Sequence, residues 1–395
     1  MPVATGLDVL AFQGFAPLLG KRIALVCNQS AVSGDFRHVI DLLLPLHGSG
    51  RLTIQIVLGP QHGLFGHTQD NMIEWEGTTD PRTGLQIASL YGEHRHPRPA
   101  LLKDVDIMVI DLPDIGSRYY TFLWTTANCL EAAAQLGIPV LILDRPNPIG
   151  GLQWEGPVLK PEYESFVGLH PLPTRHGMTL GEVATYLKTR YYPGCDLNVV
   201  LAPEWSRGDY AEEADAVWTM PSPNMPTVDT AVVYPGGCLL EGTNLSEGRG
   251  TTHPFEMFGA PWIDGWELGE ALNVLDLPGC FFRAIQFQPT FQKHAGQLCG
   301  GCFLHVQDRR AFEPVISYVA LLQETRRIYG EKLAWNPPPY EYETKKLPID
   351  ILAGNDWLRP AIDELGSLKD IRERMLRECY EFEPERRNAM LYPHG

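Results

Sequence analysis

Residues 105–120 read VDIMVIDLPDIGSRYY, and this stretch decides the predicted fold. Its first half, residues 105–112, is a nearly continuous apolar run, which is typical of a strand buried on both faces. Similar runs lie at residues 22–27, 52–58 and 140–144, with helical patterns between them at residues 38–46 and 120–136. Strands that alternate with helices in this way predict an α/β fold with a mostly parallel sheet.

The polar residues that follow these strands are the first candidates for a functional site. Ligands of parallel α/β sheets bind beyond the carboxyl ends of the strands. GPQHG at residues 59–63 and DLPDIGSRY at residues 111–119 occupy such positions. A long stretch without clear periodicity, residues 234–262, adds EGTNLSEGRGT at residues 241–251. Ordered loops of that length are usually functional, so we expect a cleft between the sheet and this stretch.

The length of 395 residues predicts two domains, or one domain with a large second lobe. Proline and glycine cluster at residues 146–157, which places the expected boundary near residue 155. The prediction is an N-terminal domain over residues 1–155 and a C-terminal α+β domain over residues 156–395 that completes the cleft. A helix at residues 179–191 is predicted by Thr179 with Glu182 three residues later, a capping box.

Charge and composition exclude several classes of partner. The formal net charge is −16, which disfavours nucleic acid and anionic membranes. No apolar run approaches the roughly 20 residues of a membrane span. Residues 1–10 carry no visible secretory signal, and the eight cysteines are scattered without repeated spacing. We therefore expect a cytoplasmic protein with reduced thiols.

Cofactor motifs are missing from the sequence. After the first predicted strand the chain reads CNQSA at residues 27–31, without the glycine-rich fingerprint of a dinucleotide site. No nicotinamide or flavin cofactor is expected. A lone C-x-x-C at residues 299–302 has no second pair, so no metal is predicted either.

Two carboxylates surrounded by amide, hydroxyl and guanidinium groups are the chemistry that glycoside hydrolysis requires. Glu241 and Glu247 are the predicted catalytic carboxylates. For Glu247, the alternative is a structural ion pair with Arg249. Gln61 and His62 are predicted to position the reacting centre, with a simple turn cap as the alternative for His62.

The predicted substrate-binding residues come from the same polar stretches. Arg118 is expected to bind a carboxylate while a neighbouring tyrosine ring packs against a sugar face. A salt bridge from Arg118 to Asp111 or Asp114 is the alternative. The full predicted set is Asp111, Asp114, Arg118, Tyr119, Tyr120, Asn224, Asn244, Arg249 and Thr251.

Taken together, the motifs of this chain resemble those of a known family. The motifs are GPQHG (59–63), TGLQIASLYG (83–92), DLPDIGSRYYT (111–121), LDRPNP (143–148), SFVG (165–168), RHGMTLGE (175–182), PSPNMPT (221–227), YPGGCLLEGTNLSEGRGTTHPFE (234–256) and GAPW (259–262). In this order they resemble the exo-β-N-acetylmuramidases of glycoside hydrolase family 171, formerly domain of unknown function 1343.

The resemblance implies a fold and an activity. It implies a Rossmann-like N-terminal domain, a smaller C-terminal domain and a cleft between them. It also implies release of N-acetylmuramic acid from the non-reducing ends of peptidoglycan fragments, without a cofactor. Muramic acid carries a lactyl carboxylate that glucosamine lacks, so a selective site needs a cation. Arg118 and Arg249 are the expected cations, and Asn224, Asn244, Tyr119 and Thr251 are expected to contact the hydroxyls and the acetamido group.

One position departs from the family pattern. Family members usually carry glutamate where this chain has Gln61, and that glutamate is a candidate catalytic acid. A glutamine side chain does not titrate and cannot donate a proton as a general acid. Three interpretations fit this departure. The catalytic acid is elsewhere, with Glu241 and Glu247 as the leading candidates; the chain is a disabled variant; or the protein binds an amino sugar without cleaving it.

Overall fold

A computed structural model describes residues 3–69 and 72–393. Its strands are β1 (Arg22–Cys27), β2 (Thr53–Gly59), β3 (Thr78–Thr79), β4 (Gln86–Ser89), β5 (Ile107–Asp111), β6 (Val140–Leu143), β7 (Glu155–Val158), β8 (Pro173–Arg175), β9 (Leu197–Val200), β10 (Met257–Ala260), β11 (Cys280–Phe287) and β12 (Cys299–Val306). Its α-helices are α1 (Gly6–Phe12), α2 (Val39–Gly48), α3 (Pro99–Leu102), α4 (Phe122–Leu136), α5 (Leu180–Arg190), α6 (Val228–Gly237), α7 (Gly265–Val274), α8 (Pro314–Tyr329), α9 (Pro348–Ala353), α10 (Leu358–Asp363) and α11 (Leu368–Ala389). Four 3₁₀ helices lie at Ala16–Leu18, Pro161–Tyr163, Cys238–Gly242 and Gly330–Lys332.

A seven-stranded sheet forms the centre of the fold, in the order β3-β4-β2-β1-β5-β6-β9. Only the short β3 runs antiparallel to its neighbour, and the other pairings are parallel. The predicted α/β class with a mostly parallel sheet is confirmed. A three-stranded antiparallel sheet, β10-β12-β11, and the β7-β8 pair lie outside it.

Both faces of the large sheet are covered, because its buried strands carry apolar residues on both sides. Along β1, Ile23, Leu25 and Cys27 pack in one hydrophobic cluster with α1 and α2. Ala24 and Val26 point the other way and join a second cluster, which includes α4 and α5. That second cluster continues into α8 and the antiparallel sheet, so the small sheet shares a continuous core with one face of the large sheet.

The predicted domain boundary near residue 155 stays a prediction. The seventh strand of the large sheet, β9, comes from Leu197–Val200 and therefore follows that boundary in the chain. The helix predicted at residues 179–191 is α5. Thr179 caps it, and the backbone and side-chain bonds of the capping box with Glu182 are both present.

The segment predicted as irregular at residues 234–262 is partly helical. Residues 234–237 end α6, and a 3₁₀ helix occupies Cys238–Gly242. The helix escaped sequence analysis because all of its residues except Asp229 are buried, so its apolar residues show no 3.6-residue period. No helix within residues 3–69 and 72–393 is long and apolar enough to cross a membrane.

The site is positioned by the carboxyl ends of β2 and β5 and by the 3₁₀ helix. Gly59 ends β2, and a Cβ there would lie 2.8 Å from the Trp75 ring, so the turn into Gln61 requires glycine. Gly116 turns the chain after β5 with φ of 79°, a value that favours glycine. These turns bring Gln61 and Tyr119 towards Glu241 on the 3₁₀ helix.

Candidate active site

A cavity of about 460 Å³ lies beyond the carboxyl ends of β2 and β5, and we call it the inner cavity. It brings together seven of the predicted site residues: Gln61, His62, Tyr119, Tyr120, Asn224, Glu241 and Arg249. Thr121, Ser222 and Tyr340 also line it.

Glu241 is the carboxylate at the wall of the inner cavity. Its Oε1 accepts a hydrogen bond from Arg249 Nη2 at 2.8 Å, and its Oε2 accepts one from the Tyr340 hydroxyl at 2.7 Å. The side chain is only 5% exposed. A buried, doubly hydrogen-bonded carboxylate has a fixed orientation, as a group that must face one carbon atom of a bound sugar requires.

Glu247 belongs to an ion-pair cluster beside this wall. Arg249 Nη1 donates to its Oε1 at 2.8 Å, and Lys293 Nζ donates to its Oε2 at 2.9 Å. Burial disfavours the charged form of Glu247, but Lys293 and Arg249 outweigh burial and lower the pKa to about 2. Glu247 does not line the inner cavity. The structural ion pair with Arg249 is present. Glu247 and Glu241 also line a neighbouring cavity together, and a part of Glu247 in the carboxylate chemistry stays a prediction.

This cluster should make the protein sensitive to acid. A folded-state pKa of about 2 against an ordinary value of 4.5 corresponds to about 3 kcal/mol of stability. Because the folded pKa is lowered, that stability is present above about pH 4.5 and is lost as pH falls towards 2. We expect Glu247→Gln to lower the free energy of unfolding by about 3 kcal/mol at pH 6, measured in urea, with the difference vanishing near pH 2.

The control for this measurement is an exposed pair. Glu373 lies 3.9 Å from Lys369, and both side chains are largely exposed. Glu373→Gln should change the free energy of unfolding by less than about 0.5 kcal/mol at every pH. A Glu247→Gln difference that stays constant down to pH 2 would contradict the lowered pKa.

Gln61 and His62 lie at the opposite wall. The Thr121 hydroxyl donates to Gln61 Oε1 at 2.6 Å, which orients the amide so that Nε2 points to Glu341 Oε1 at 3.4 Å. His62 has left-handed backbone with φ of 68°, and its Nδ1 donates to the Thr68 carbonyl at 2.7 Å. Both side chains are held in place at the cavity, while their predicted part in catalysis stays a prediction.

Glu341 is the functional candidate that sequence analysis missed. It lines the inner cavity and is 2% exposed. Burial raises its pKa to about 7; the hydrogen bond from Tyr91 opposes that shift, and the nearby charge of Glu241 adds to it. The local signal was weak, because residues 336–340 read as a proline-rich connector. Its partner Gln61 lies 280 residues away in the sequence.

Arg118 does not reach the inner cavity, which corrects its predicted role. Its side chain is fully buried, and its guanidinium donates to three backbone carbonyls: Pro157 at 2.8 Å, Leu172 at 2.9 Å and Leu352 at 2.6 Å. These contacts tie the turn after β5 to β7 and α9. Arg118 thus has a structural position, and neither a lactyl carboxylate nor Asp111 or Asp114 is its partner.

Four other predicted binding residues also lie outside the inner cavity. Asp111 forms an ion pair with Arg145 at 2.7 Å, and Asp114 accepts from the Gly116 amide at 2.8 Å. The other two support loops: the Asn244 side chain bonds to Lys332 and Ala334, and the Thr251 hydroxyl donates to the Gly248 carbonyl. Asp114 and Thr251 stabilise the turns that carry them, because short polar side chains in turns readily bond to the nearby backbone. Asp111 and Asn244 instead bond to residues distant in the sequence.

Metal chemistry finds no support in the part of the chain that the structure describes. No group of three or more His, Cys, Asp or Glu side chains there is arranged to hold a metal ion. The side chains that line the inner cavity include carboxyl, amide, imidazole, hydroxyl and guanidinium groups.

A mostly parallel α/β sheet carries at its carboxyl edge a cavity lined by buried carboxyl groups, an amide and hydroxyl groups, the side chains that a glycosidase requires. Family models described as "Exo-beta-N-acetylmuramidase NamZ" match the chain, the N-terminal model over residues 23–229 and the C-terminal model over residues 232–392. The chain belongs to this exo-β-N-acetylmuramidase family.

Individual relatives agree with that assignment. The peptidoglycan β-N-acetylmuramidase NamZ of Bacillus subtilis (strain 168) is 41% identical over 390 residues, which cover 99% of this chain and 91% of that protein. Two crystal structures of DUF1343 family proteins from Bacteroides fragilis NCTC 9343 are similar to this chain, and each match covers 99% of this chain and 99% of the chain in the crystal structure. Their TM-scores are 0.86 and 0.75, at 30% and 26% sequence identity.

Proposed function

We propose that this protein is a glycoside hydrolase that releases N-acetylmuramic acid from the non-reducing ends of peptidoglycan fragments. The observation that carries the proposal is the inner cavity, where Glu241 faces a space of about 460 Å³ beside the amide of Gln61. Membership of the exo-β-N-acetylmuramidase family supports the same substrate.

Arg249 is the proposed partner of the lactyl carboxylate. It lines the inner cavity, and its Nε has no hydrogen-bond partner within residues 3–69 and 72–393. Its two Nη atoms already pair with Glu241 and Glu247, so a substrate carboxylate would meet a cation whose orientation is set in advance. Asn224, Tyr119 and Tyr120 remain the proposed contacts to the hydroxyl and acetamido groups.

Glu241 is the proposed carboxylate of the reacting centre. Hydrolysis of a glycosidic bond builds positive charge at the anomeric carbon, and a fixed carboxylate stabilises that charge or activates the attacking water. The hydrogen bonds from Arg249 and Tyr340 hold Glu241 in one orientation without a change during the reaction. Electrostatic stabilisation of the transition state by preorganised groups is usually the largest single contribution to an enzyme's rate enhancement.

The test is product identification with the purified chain. On a peptidoglycan disaccharide with N-acetylmuramic acid at the non-reducing end, we expect free N-acetylmuramic acid as the first product by mass spectrometry. The disaccharide with N-acetylglucosamine at that end should stay intact. Cleavage of the glucosamine-ended disaccharide at an equal rate, or cleavage inside longer strands, would contradict the proposal.

Gln61 favours a second candidate function, an amino-sugar binding protein without catalysis. Its amide lies at the cavity position where the family resemblance leads one to expect an acid. Saturable binding of N-acetylmuramic acid with no release from either disaccharide would select this alternative. The predicted cytoplasmic location and the predicted lack of nucleic-acid and membrane partners stay predictions.

A further inference from the structure

Glu341 separates the inner cavity from a second, more open cavity. The second cavity has a volume of about 650 Å³, and we call it the outer groove. Glu341 lines both. Glu341 and its neighbour Tyr342 have positive φ angles of 44° and 70°, and non-glycine residues in this left-handed region often mark functional sites. The backbone there presents consecutive side chains to the boundary between two cavities.

The partners of the Glu341 carboxyl are neutral. The Tyr91 hydroxyl contacts its Oε1 and Oε2 at 3.2 and 3.0 Å, and Gln61 Nε2 contacts Oε1. In the described residues no lysine, arginine or histidine forms an ion pair with it. Glu241, in contrast, is paired with Arg249 at 2.8 Å. Of the two carboxyl groups that line the inner cavity, Glu341 thus has neutral partners and Glu241 has a cationic one. Environments that differ in this way allow one carboxyl group to act as the acid and the other as the base.

The outer groove has the surface of a sugar or peptide site. The Arg95 guanidinium lies 3.9 Å from the centre of the Tyr342 ring and 5.8 Å from the centre of the Phe166 ring. Asn128 and Ser165 add polar groups to its lining. Aromatic faces with adjacent amide and hydroxyl groups bind the apolar face and the hydroxyls of a saccharide.

Building on the proposed function, we propose that Glu341 is the proton donor of the reaction and that the outer groove holds the leaving group. The scissile oxygen of a substrate that spans both cavities lies at their boundary, where the Glu341 carboxyl is. N-acetylmuramic acid then occupies the inner cavity, and the sugar or peptide-bearing fragment that departs occupies the outer groove.

The chemistry balances with these groups alone. As the bond between the anomeric carbon and the glycosidic oxygen breaks, its electron pair goes to the oxygen, which takes the proton of Glu341. The leaving group departs as an alcohol, and Glu341 is left as a carboxylate. Water adds to the anomeric carbon and loses a proton to one of the two carboxylates, and exchange with solvent restores the starting protonation.

Gln61 acts in this scheme as a positioning residue. Its amide orientation is set by the Thr121 hydroxyl, so its Nε2 donates to Oε1 of Glu341. That bond, together with the contacts of the Tyr91 hydroxyl, orients the Glu341 carboxyl at the boundary of the two cavities. The titratable or charged groups around Glu341 include Tyr91, which contacts it directly, and Glu241, Arg249, Tyr340 and Tyr342.

The test compares two substrates on Glu341→Gln. The natural disaccharide has a poor leaving group that needs a proton, whereas a 2,4-dinitrophenyl N-acetylmuramide has a leaving group that departs without one. We expect kcat/KM to fall by about 10²–10⁴-fold on the disaccharide and by less than about 10-fold on the aryl substrate. Wild-type kcat/KM on the disaccharide should fall above about pH 7, because burial places the pKa of Glu341 at about 7 and the proton donor is then ionised. Wild-type kcat/KM on the aryl substrate, which needs no proton, should not show this fall.

Glu155→Gln is the matched control. Glu155 lies on β7, burial raises its pKa to about 7 as well, and it lines neither cavity. Its replacement should leave the ratio of the two activities unchanged. If Glu341→Gln does not fold, Glu341→Asp, which withdraws the carboxyl by one methylene, should show the same selective loss on the disaccharide.

Other outcomes would overturn the inference. Equal losses on both substrates, or no loss on the disaccharide, would show that Glu341 is not the proton donor. Wild-type protein that releases N-acetylmuramic acid from neither substrate would instead refute the proposed function. Tyr342→Ala should raise KM for the disaccharide at least several-fold with a smaller change in kcat, and an unchanged KM would exclude the outer groove as the leaving-group site.

Discussion

Replacement of Glu241 by glutamine is expected to lower kcat by about 10³-fold on N-acetylmuramides with good and poor leaving groups alike. The range for loss of a positioned acid or base is about 10²–10⁴-fold, and a factor of 10³ corresponds to about 4 kcal/mol of transition-state stabilisation. The loss is independent of the leaving group because Glu241 acts on the charge at the anomeric carbon. Steady-state kinetics on the disaccharide and the aryl substrate measure it.

Glu256→Gln provides the control for this variant. Glu256 is also a buried glutamate, and its Oε1 accepts from the Thr230 hydroxyl at 2.7 Å. It does not line the inner cavity. Its replacement should leave kcat within about twofold of the wild-type value. If the Glu241→Gln protein folds and keeps more than a tenth of wild-type kcat, Glu241 is not the carboxylate of the reacting centre.

Replacement of Arg118 by methionine is expected to lower the free energy of unfolding by about 3–5 kcal/mol. Hydrogen bonds to a charged group contribute about 1.5–3 kcal/mol each, and three such bonds to backbone carbonyls are lost at once. The Pro157 and Leu172 carbonyls keep a second donor, which limits the loss. The recovered cost of burying the guanidinium offsets part of the sum. Urea unfolding followed by tryptophan fluorescence measures the change.

The same variant separates a structural position from a binding role. Since Arg118 lies outside both cavities, protein that remains folded should keep the wild-type KM for the disaccharide. Arg327→Met, at an exposed ion pair with Glu324, should change stability by less than about 0.5 kcal/mol. If Arg118→Met has unchanged stability and a raised KM for muramic-acid substrates alone, then Arg118 binds the lactyl carboxylate and its structural role is wrong.

Several site residues could be predicted because they follow strands. Gln61 and His62 come after β2, and Tyr119 and Tyr120 come after β5. Buried parallel strands are recognisable from their apolar runs, and the carboxyl edge of such a sheet is a single place in space. Position relative to a strand therefore indicated which side chains reach the inner cavity.

The predictions that failed concern charge partners. Arg118 and Arg249 look equivalent in sequence, since each stands in a polar, glycine-containing stretch. Arg118 is surrounded by carbonyls of β7, the turn before β8 and α9, whereas Arg249 meets Glu241 and Glu247 at the cavity wall. Which groups surround a guanidinium depends on segments that pack from elsewhere in the chain.

By itself, the sequence determined the α/β class, the capped helix α5, the family resemblance and the strand ends that carry the site. These properties depend on residues close together in the chain, where periodicity, capping and turn chemistry act. Only the tertiary structure decided that Glu247 is an ion-pair residue, that Arg118 supports the fold, and that Glu341 stands beside Gln61. Burial and electrostatic environment set those roles, and both arise only when distant segments exclude water from the same space.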